Sequence, residues 1–576
     1  ALPIFGVIDT NSPFNGSFTR GMPLKGKIAF ISQSGAMLLA ILDWSLSAGI
    51  GFSQFVSMGN KADLNETDFI QAAAEDPNTS VILCYLEDVT NGERFLEVVR
   101  KASQIKPIII LKSGTSQDGA RAASSHTGAL AGSDLAYDTA FKQSGVIRAL
   151  NMSDLFDLAV AFVNQPVPAG NRVAVVTNSG GPGIIATDSV ERNKLKMARF
   201  NKETLEYMRS QLPVEASVYN PVDVLGDATP ERYTIALESI LKDDNTDSAL
   251  VLLSPTAVTE PVKIANMIVD MHKKYPQKPL FTSYMGGETL TEGIRILSEA
   301  GIPCYTFPEP ALKAISGLVT YDALRTKLQK NKPIAPAPDV DKEKVKEVFA
   351  EVRRDNRVTL LGYEATMVAE AYKIPVAPVV LAKSPDEAVA AAEKMGYPVV
   401  LKVASPHIIH KSDVGGVKVG LSSAQEVKDA YNAIMESVTR LMPDTPIYGI
   451  EVQVMMPKGT ETLIGMTRDV QFGPMIAFGM GGIYVNLLKD VSFRLANGLT
   501  REDIEEMISE TKAYTLLKGY RGSEPCDIPS LVEAIARIAQ LCMDFPEIAE
   551  LDLNPVNAYP DKAVALDVKI TLAGNK

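Results

Sequence analysis

The sequence predicts an α/β protein built as two parallel-sheet domains in series, followed by an α+β domain. Three observations carry that prediction. Up to about residue 320, short apolar runs of strand length alternate with amphipathic helical stretches. Three prolines, Pro333, Pro336 and Pro338, then mark a stiff, extended linker. From about residue 360 the strand signals carry alternation and hairpin spacing instead.

Taken in order, Lys27 to Ile31 reads as a strand and Ala36 to Leu46 as the helix after it. Val81 to Leu86 and Pro107 to Leu111 repeat the strand signal. Arg172 to Val176 does so again, followed by a Gly turn and a helix, and Ser248 to Leu253 and Leu280 to Ser283 complete the set. These continuous apolar strands place domains at 22–165 and 168–320, with a linker at 321–340. Asp341 to Arg354 is a charged helix that opens the last domain, 341–576, whose strands include Pro398 to Val403 and Thr462 to Met466.

Composition narrows the function. The 576 residues carry a net charge of −12, with no Lys/Arg block, which excludes nucleic acid and acidic membrane surfaces as partners. No apolar run reaches the roughly 18 residues of a membrane span. Four scattered cysteines (Cys84, Cys304, Cys526, Cys542) form no CxxC pair and read as small core side chains in a reducing compartment. No leader pattern is present, which predicts a cytoplasmic protein; the chain opens on Ala1 rather than Met.

The chemistry-bearing motifs begin with Ile31-Ser32-Gln33-Ser34-Gly35-Ala36, where a strand ends and a helix begins. The free N–H groups and dipole of such a helix start hold anions, and Ser32 and Ser34 add hydroxyl donors. Alone, this turn reads first as a simple N-cap. Thr177-Asn178-Ser179-Gly180-Gly181 repeats it, and Ser254-Pro255-Thr256 supplies a third strand-to-helix turn with Pro at a helix start. Three such turns point to phosphate or CoA-type ligands.

His126 lies in a loop of small residues, Ser124-Ser125-His126-Thr127-Gly128-Ala129, with room for a bulky group beside the imidazole. A nucleophilic histidine needs that room and a carboxylate to fix its tautomer, and Glu87, at a strand end, is the candidate. A surface-loop histidine beside an unrelated acid fits the spacing as well. In the last domain, strand residue Lys402 is followed by Lys411-Ser412-Asp413-Val414-Gly415-Gly416, a cation joined to glycines that let backbone approach phosphates. The Walker spacing is absent.

These residues resemble the NDP-forming acyl-CoA synthetases, the family of the ADP-forming acetyl-CoA synthetases and of succinyl-CoA synthetase. The resemblance covers essentially the whole chain. It implies two flavodoxin-like ligase domains followed by an ATP-grasp domain. Ser124 to Asp134 resembles the phosphohistidine loop, and the Ser34-Gly35 helix start resembles the phosphate grip. Glu461 falls where such a domain holds the nucleotide, and Arg494 matches an Arg that faces nucleotide phosphates. Asn554 and Asp567, 13 positions apart, correspond to Mg²⁺ ligands, and Asp552 to the acid that receives the phosphohistidine at the nucleotide site. His410 matches a second phosphate carrier, while His407 has no assignment and His272 reads as a solvent-facing helix residue. Asn220-Pro221-Val222-Asp223 resembles a scaffolding turn. Residues 1–21 look like the tail of a CoA-binding domain whose Gly-rich loop is missing.

The resemblance implies an ADP-forming acyl-CoA synthetase working through an acyl phosphate and phosphohistidine on a short-chain acid. It takes ATP/ADP, Mg²⁺ and coenzyme A, and forms a homodimer. The alternative is a silent cofactor-sensing platform of the kind fused to protein lysine acetyltransferases.

Overall fold

The computed structural model describes residues 6–574 except 18, 20, 62, 117, 120, 122–132, 409–410 and 483–489. His126 and His410 therefore lie outside the described residues. The chain forms two compact units. The first comprises residues 1–134 and 144–330, the second 135–143 and 331–576.

In the first unit two sheets follow one another. The first runs in the order Phe14–Asn15, Val7–Asp9, Phe52–Ser57, Lys25–Ser32, Val81–Leu86, Ile108–Lys112 and Ile147–Ala149. Its last five strands are parallel, and Val7–Asp9 adds an antiparallel edge. Every residue of Ile108–Lys112 is buried, as a parallel strand covered on both faces must be. The second sheet, all parallel, orders Val222–Asp223, Arg172–Thr177, Ser248–Leu253, Leu280–Tyr284 and Cys304–Tyr305, with Lys196–Met197 paired to Arg172–Thr177.

The two sheets repeat one junction. Ser32 Oγ donates to Ser34 O at 2.8 Å and accepts from Ser34 N at 3.1 Å; Thr177 Oγ1 donates to Ser179 O at 2.8 Å and accepts from Ser179 N at 3.0 Å. Each junction opens a helix, Gly35–Ala48 and Gly180–Arg192. Ser34 also caps its helix, accepting from Met37 N.

The second unit holds two antiparallel sheets. One orders Val379–Ala382, Gly449–Val454, Val399–Ala404 and Val417–Leu421. The other orders Val491–Leu495, Gly473–Met480, Thr460–Asp469, Ile548–Ala558 and Ala563–Ala565, with Val568–Leu572 on Ile548–Ala558. Helix Ile528–Asp544 buries Leu531, Ile535, Ile538 and Leu541 in the core of this unit.

Two expectations are corrected. Residues 321–330 are not linker, because helix Pro308–Lys330 runs through them, its buried face extending to Tyr321. The proline segment beyond it is a docked strap. Ile334 N donates to Leu499 O at 2.9 Å, and Ala337 exchanges two hydrogen bonds with the Gln540 side chain. Also, Leu135–Gln143 belongs to the second unit. Tyr137 packs edge-on to Phe472 with centroids 5.0 Å apart. The Gln143 amide caps the edge strand, accepting from Leu495 N at 2.7 Å and donating to Leu495 O at 3.2 Å.

Candidate active site

In the first unit the carboxyl ends of the parallel strands, where such sheets place their ligands, gather the predicted residues. Ser32 is fully buried and locks the turn, so helix Gly35–Ala48 starts at the carboxyl end of its strand. Gln33 ties this turn to the next strand: its Oε1 accepts from Glu87 N at 2.8 Å and from Asp88 N at 3.1 Å. Glu87 is thus fixed by its backbone beside the helix start. Lys112 stands next to it, paired in register with Leu86. Burial, with Arg148 adding, pushes the Lys112 ammonium down to about 8 against the pull of Asp134, Asp88 and Glu87.

Ser254 occupies in the second sheet the place that Glu87 has in the first. Asn178 Oδ1 accepts from Ser254 N at 2.9 Å and Asn178 Nδ2 donates to Ser254 O at 2.8 Å. Ser254 and Thr256 are not at a helix start, however. A loop follows the strand, and the helix begins at Pro261, behind N-cap Glu260. Pro255 carries the same first-turn signal as Pro261 in sequence, and Pro261 is the one that uses it. Thr256 Oγ1 is bonded to Gly226 O at 3.0 Å. Asn220, in the scaffolding turn, clamps its sheet by accepting from Val175 N and donating to Val173 O and Ala198 O.

In the second unit the two sheets bring five predicted residues to one place. Lys402 Nζ donates to Leu566 O at 3.3 Å and lies 3.8 Å from Asp567 Oδ1. Asn554 N donates to Asp567 O at 3.3 Å, and Asn554 Oδ1 accepts from Gly482 N at 3.1 Å. The Glu461 carboxylate sits over Gly482: a Cβ there would fall 2.0 Å from Glu461 Oε2, and φ is +71°, so only glycine fits. Asp552 is half-buried on the same strand as Asn554. Burial first, then Asp567 and Glu550, raise its carboxyl against the opposing Lys569.

Gly415 and Gly416 follow the turn Lys411–Val414. Gly415 takes φ +67°, and Gly416 N donates to Lys411 O at 2.8 Å. A Cβ on Gly416 would meet Val403 Cγ1 at 2.6 Å, so the tight turn against the Lys402 strand requires it.

Arg494 is turned elsewhere. It is buried to 2% exposure, and its guanidinium lies 3.1 Å from Glu510 and 3.6 Å from Glu506, with Ser492 Oγ alongside. It is engaged by carboxylates and not held out for phosphates. His272 is corrected too: its Nδ1 is buried and has no hydrogen-bond partner among the described residues, and burial lowers its pKa.

Sequence reasoning missed Gly482, Gln453, which donates to Leu566 O at 2.9 Å, and Lys411, whose ammonium lies 3.3 Å from the buried Glu451 carboxylate. The Gly481-Gly482 pair after a strand was the available signal.

Comparison with known proteins divides the chain in three, with Leu135–Gln143 inside the first match. Residues 25–162 match the succinyl-CoA ligase like flavodoxin domain, 173–326 the ligase-CoA domain and 351–572 the ATP-grasp domain. The chain is 44% identical over 567 residues to acetate–CoA ligase (ADP-forming) I of Archaeoglobus fulgidus, covering 98% of this chain and 81% of that protein. It is 42% identical over 558 residues to 4-hydroxybutyrate–CoA ligase (ADP-forming) of Nitrosopumilus maritimus, covering 95% and 78%. Among solved structures, acetyl-coenzyme A synthetase 1 of Ca. Korarchaeum cryptofilum in complex with phosphate and ADP superposes with a TM-score of 0.55 and 38% identity, covering 57% of this chain and 71% of that one.

Proposed function

The chain belongs to the family of ADP-forming acid–CoA ligases, and from that membership we propose that the residues gathered in its two units are the two ends of one phosphoryl relay. The overall reaction is acyl-CoA + ADP + phosphate ⇌ carboxylic acid + CoA + ATP. Phosphate attacks the thioester carbonyl, the C–S bond breaks, and CoA leaves from a bound acyl phosphate. His126 then takes the phosphoryl group and the acid departs. Glu87 orients the imidazole, and the helix start at Ser34-Gly35 holds the negative charge that develops on the phosphoryl oxygens. Ser254 and Thr256 border the equivalent edge of the second sheet. Histidine returns the phosphoryl group to ADP at the nucleotide unit, with His410 as a second carrier.

At that unit Lys402 neutralises phosphate charge, Glu461 holds the nucleotide's sugar, and Asp552 receives the phosphohistidine. Gly415 and Gly416 give the phosphates a close backbone approach. The single observation that carries this reading is the run of contacts that joins Lys402 to Asp567, Asp567 to Asn554, and both Asn554 and Glu461 to Gly482. Asn554 and Asp567 offer hard oxygens on the side of the sheet that also carries the Asp552 carboxylate. Mg²⁺ suits that donor set and, bound with the nucleotide, would neutralise its phosphates.

The substrate class is a short-chain acid, acetate or a short hydroxylated acid, by analogy with the two relatives. The sensing-platform alternative is not favoured, because relatives matched over nearly the whole chain are named as ligases. A cytoplasmic location accords with four unpaired cysteines. We also read the protein as a homodimer, which sedimentation at twice 62.1 kDa would bear out and a monomer would refute.

The test is turnover. With acetyl-CoA, ADP, phosphate and Mg²⁺, the protein is expected to release thiol and ATP in equal amounts. Thiol release without ATP would replace the ligase reading with a thioesterase.

A further inference from the structure

The junction at Ser32 to Gly35 is built twice in the first unit, but among the described residues only the first copy is tied to a buried ion pair. In the second sheet, Asn178 secures the next strand through the Ser254 backbone alone, with no charged group. In the first, Gln33 Nε2 donates to the Asp88 carboxylate at 2.6 Å, in place of a backbone carbonyl. That carboxylate is held in turn by Lys61, whose Nζ lies 2.6 Å from Asp88 Oδ1, 2.8 Å from Asp88 O and 2.9 Å from Glu66 Oε2. The side chains of Lys61 and Glu66 are 4% and 0% exposed. Glu66 also accepts from Thr90 N at 2.8 Å. Lys61 reaches inward from a left-handed backbone, φ +55°, a conformation that non-glycine residues seldom adopt.

The fold does not need this device, since the second copy makes the same turn without it. Buried ion pairs are in general weak contributors to stability, because desolvation offsets their attraction. What distinguishes the first copy is that its next strand ends in Glu87.

We propose that Lys61 is a positioning residue for the acyl-phosphate half of the reaction. Through Asp88 it fixes the Gln33 amide, which receives Glu87 N and Asp88 N, so the helix start at Ser34 and the Glu87 backbone hold one geometry. The proposal rests on the reading of Glu87 and Ser34 given above. A displacement of about 1 Å in such a group lowers a rate by roughly 10²-fold.

The experiment labels the phosphoenzyme with γ-labelled Mg·ATP, then discharges it either with ADP or with acetate plus coenzyme A. In Lys61→Met, discharge by acetate plus coenzyme A is expected to slow by roughly 10²-fold, with ADP discharge within about twofold of wild type. Lys61→Arg, which keeps the buried cation, is expected to recover most of the rate. A purely structural role would slow both discharges together or neither, and either result overturns the proposal. Trp44, the one tryptophan, packs on Phe156 in the same unit at 4.8 Å and reports whether each variant is folded. Should Lys61→Met fail to fold, Asp88→Ala takes its place: it removes the acceptor that joins Lys61 to Gln33, and an unchanged acetate discharge there refutes the proposal. Absence of label in wild type would instead overturn the relay itself.

Discussion

Lys402 and Asp567 illustrate how little of the nucleotide site depends on any one contact for its fold. Lys402 shares the Leu566 carbonyl with Gln453, which donates to it at the shorter distance, 2.9 Å against 3.3 Å. Lys402→Met therefore leaves that carbonyl satisfied, and its effect should fall on charge alone. Labelling of the enzyme by Mg·ATP is expected to drop by roughly 10²-fold, the usual cost of removing one preorganised donor, with the fold intact by circular dichroism. Undiminished labelling would show that Lys402 does not face the phosphates. At this scale the sequence was legible where a side chain's surroundings follow from its own element. Alternation alone set Asp552 and Asn554 on one face. It was not legible where a distant partner decides. A strand Arg reads the same whether phosphate or Glu510 faces it, and Glu510 lies 16 positions away on another element. At Gly482 the Gly481-Gly482 pair was a local signal, but the left-handed backbone that requires glycine, φ +71°, shows only in the folded chain.

Helix Asp134–Ser144 shows the same limit one level up. Nothing in its sequence says which unit buries it. The structure puts Leu135–Gln143 with the nucleotide unit through Tyr137 on Phe472, Gln143 on the Leu495 edge, and Lys142 on Glu510. Burial alone would raise the Glu510 carboxyl; hydrogen bonds from Arg494, Lys142 and Ser492 outweigh that and hold it at about 2. A carboxylate depressed in the folded state stabilises it above its unfolded pKa of 4.5, and that stabilisation is lost as pH falls from there toward about 2. Amide exchange over Leu135–Gln143, corrected for intrinsic rate, is expected to accelerate in that window relative to helix Gly35–Ala48. Glu510→Gln should show the faster exchange already at neutral pH. Exchange in the variant equal to wild type would mean that Tyr137 and Gln143 suffice to hold the helix. Elsewhere elements were read well from sequence wherever apolar runs were continuous, as at Val81–Leu86 and Ser248–Leu253. They were misread where proline was the only cue, as at Pro255 and in the linker.

For the molecule as a whole, the division of labour follows from its architecture. Parallel sheets present strand ends and helix starts, which suit a phosphate and an acyl group. The paired antiparallel sheets present cation and carboxylates from facing strands, which suit a nucleotide. A covalent carrier lets the two chemistries run on separate folds without sharing one site. His126 is the residue on which that reading turns, and phosphorylation by γ-labelled ATP with Mg²⁺ tests it most directly. The wild-type protein is expected to take up acid-labile, base-stable label that drains on adding ADP, and His126→Ala is expected to lose the label that acetate plus coenzyme A can discharge. A wild-type protein that takes no label, or a His126→Ala variant labelled and discharged like wild type, would contradict the relay.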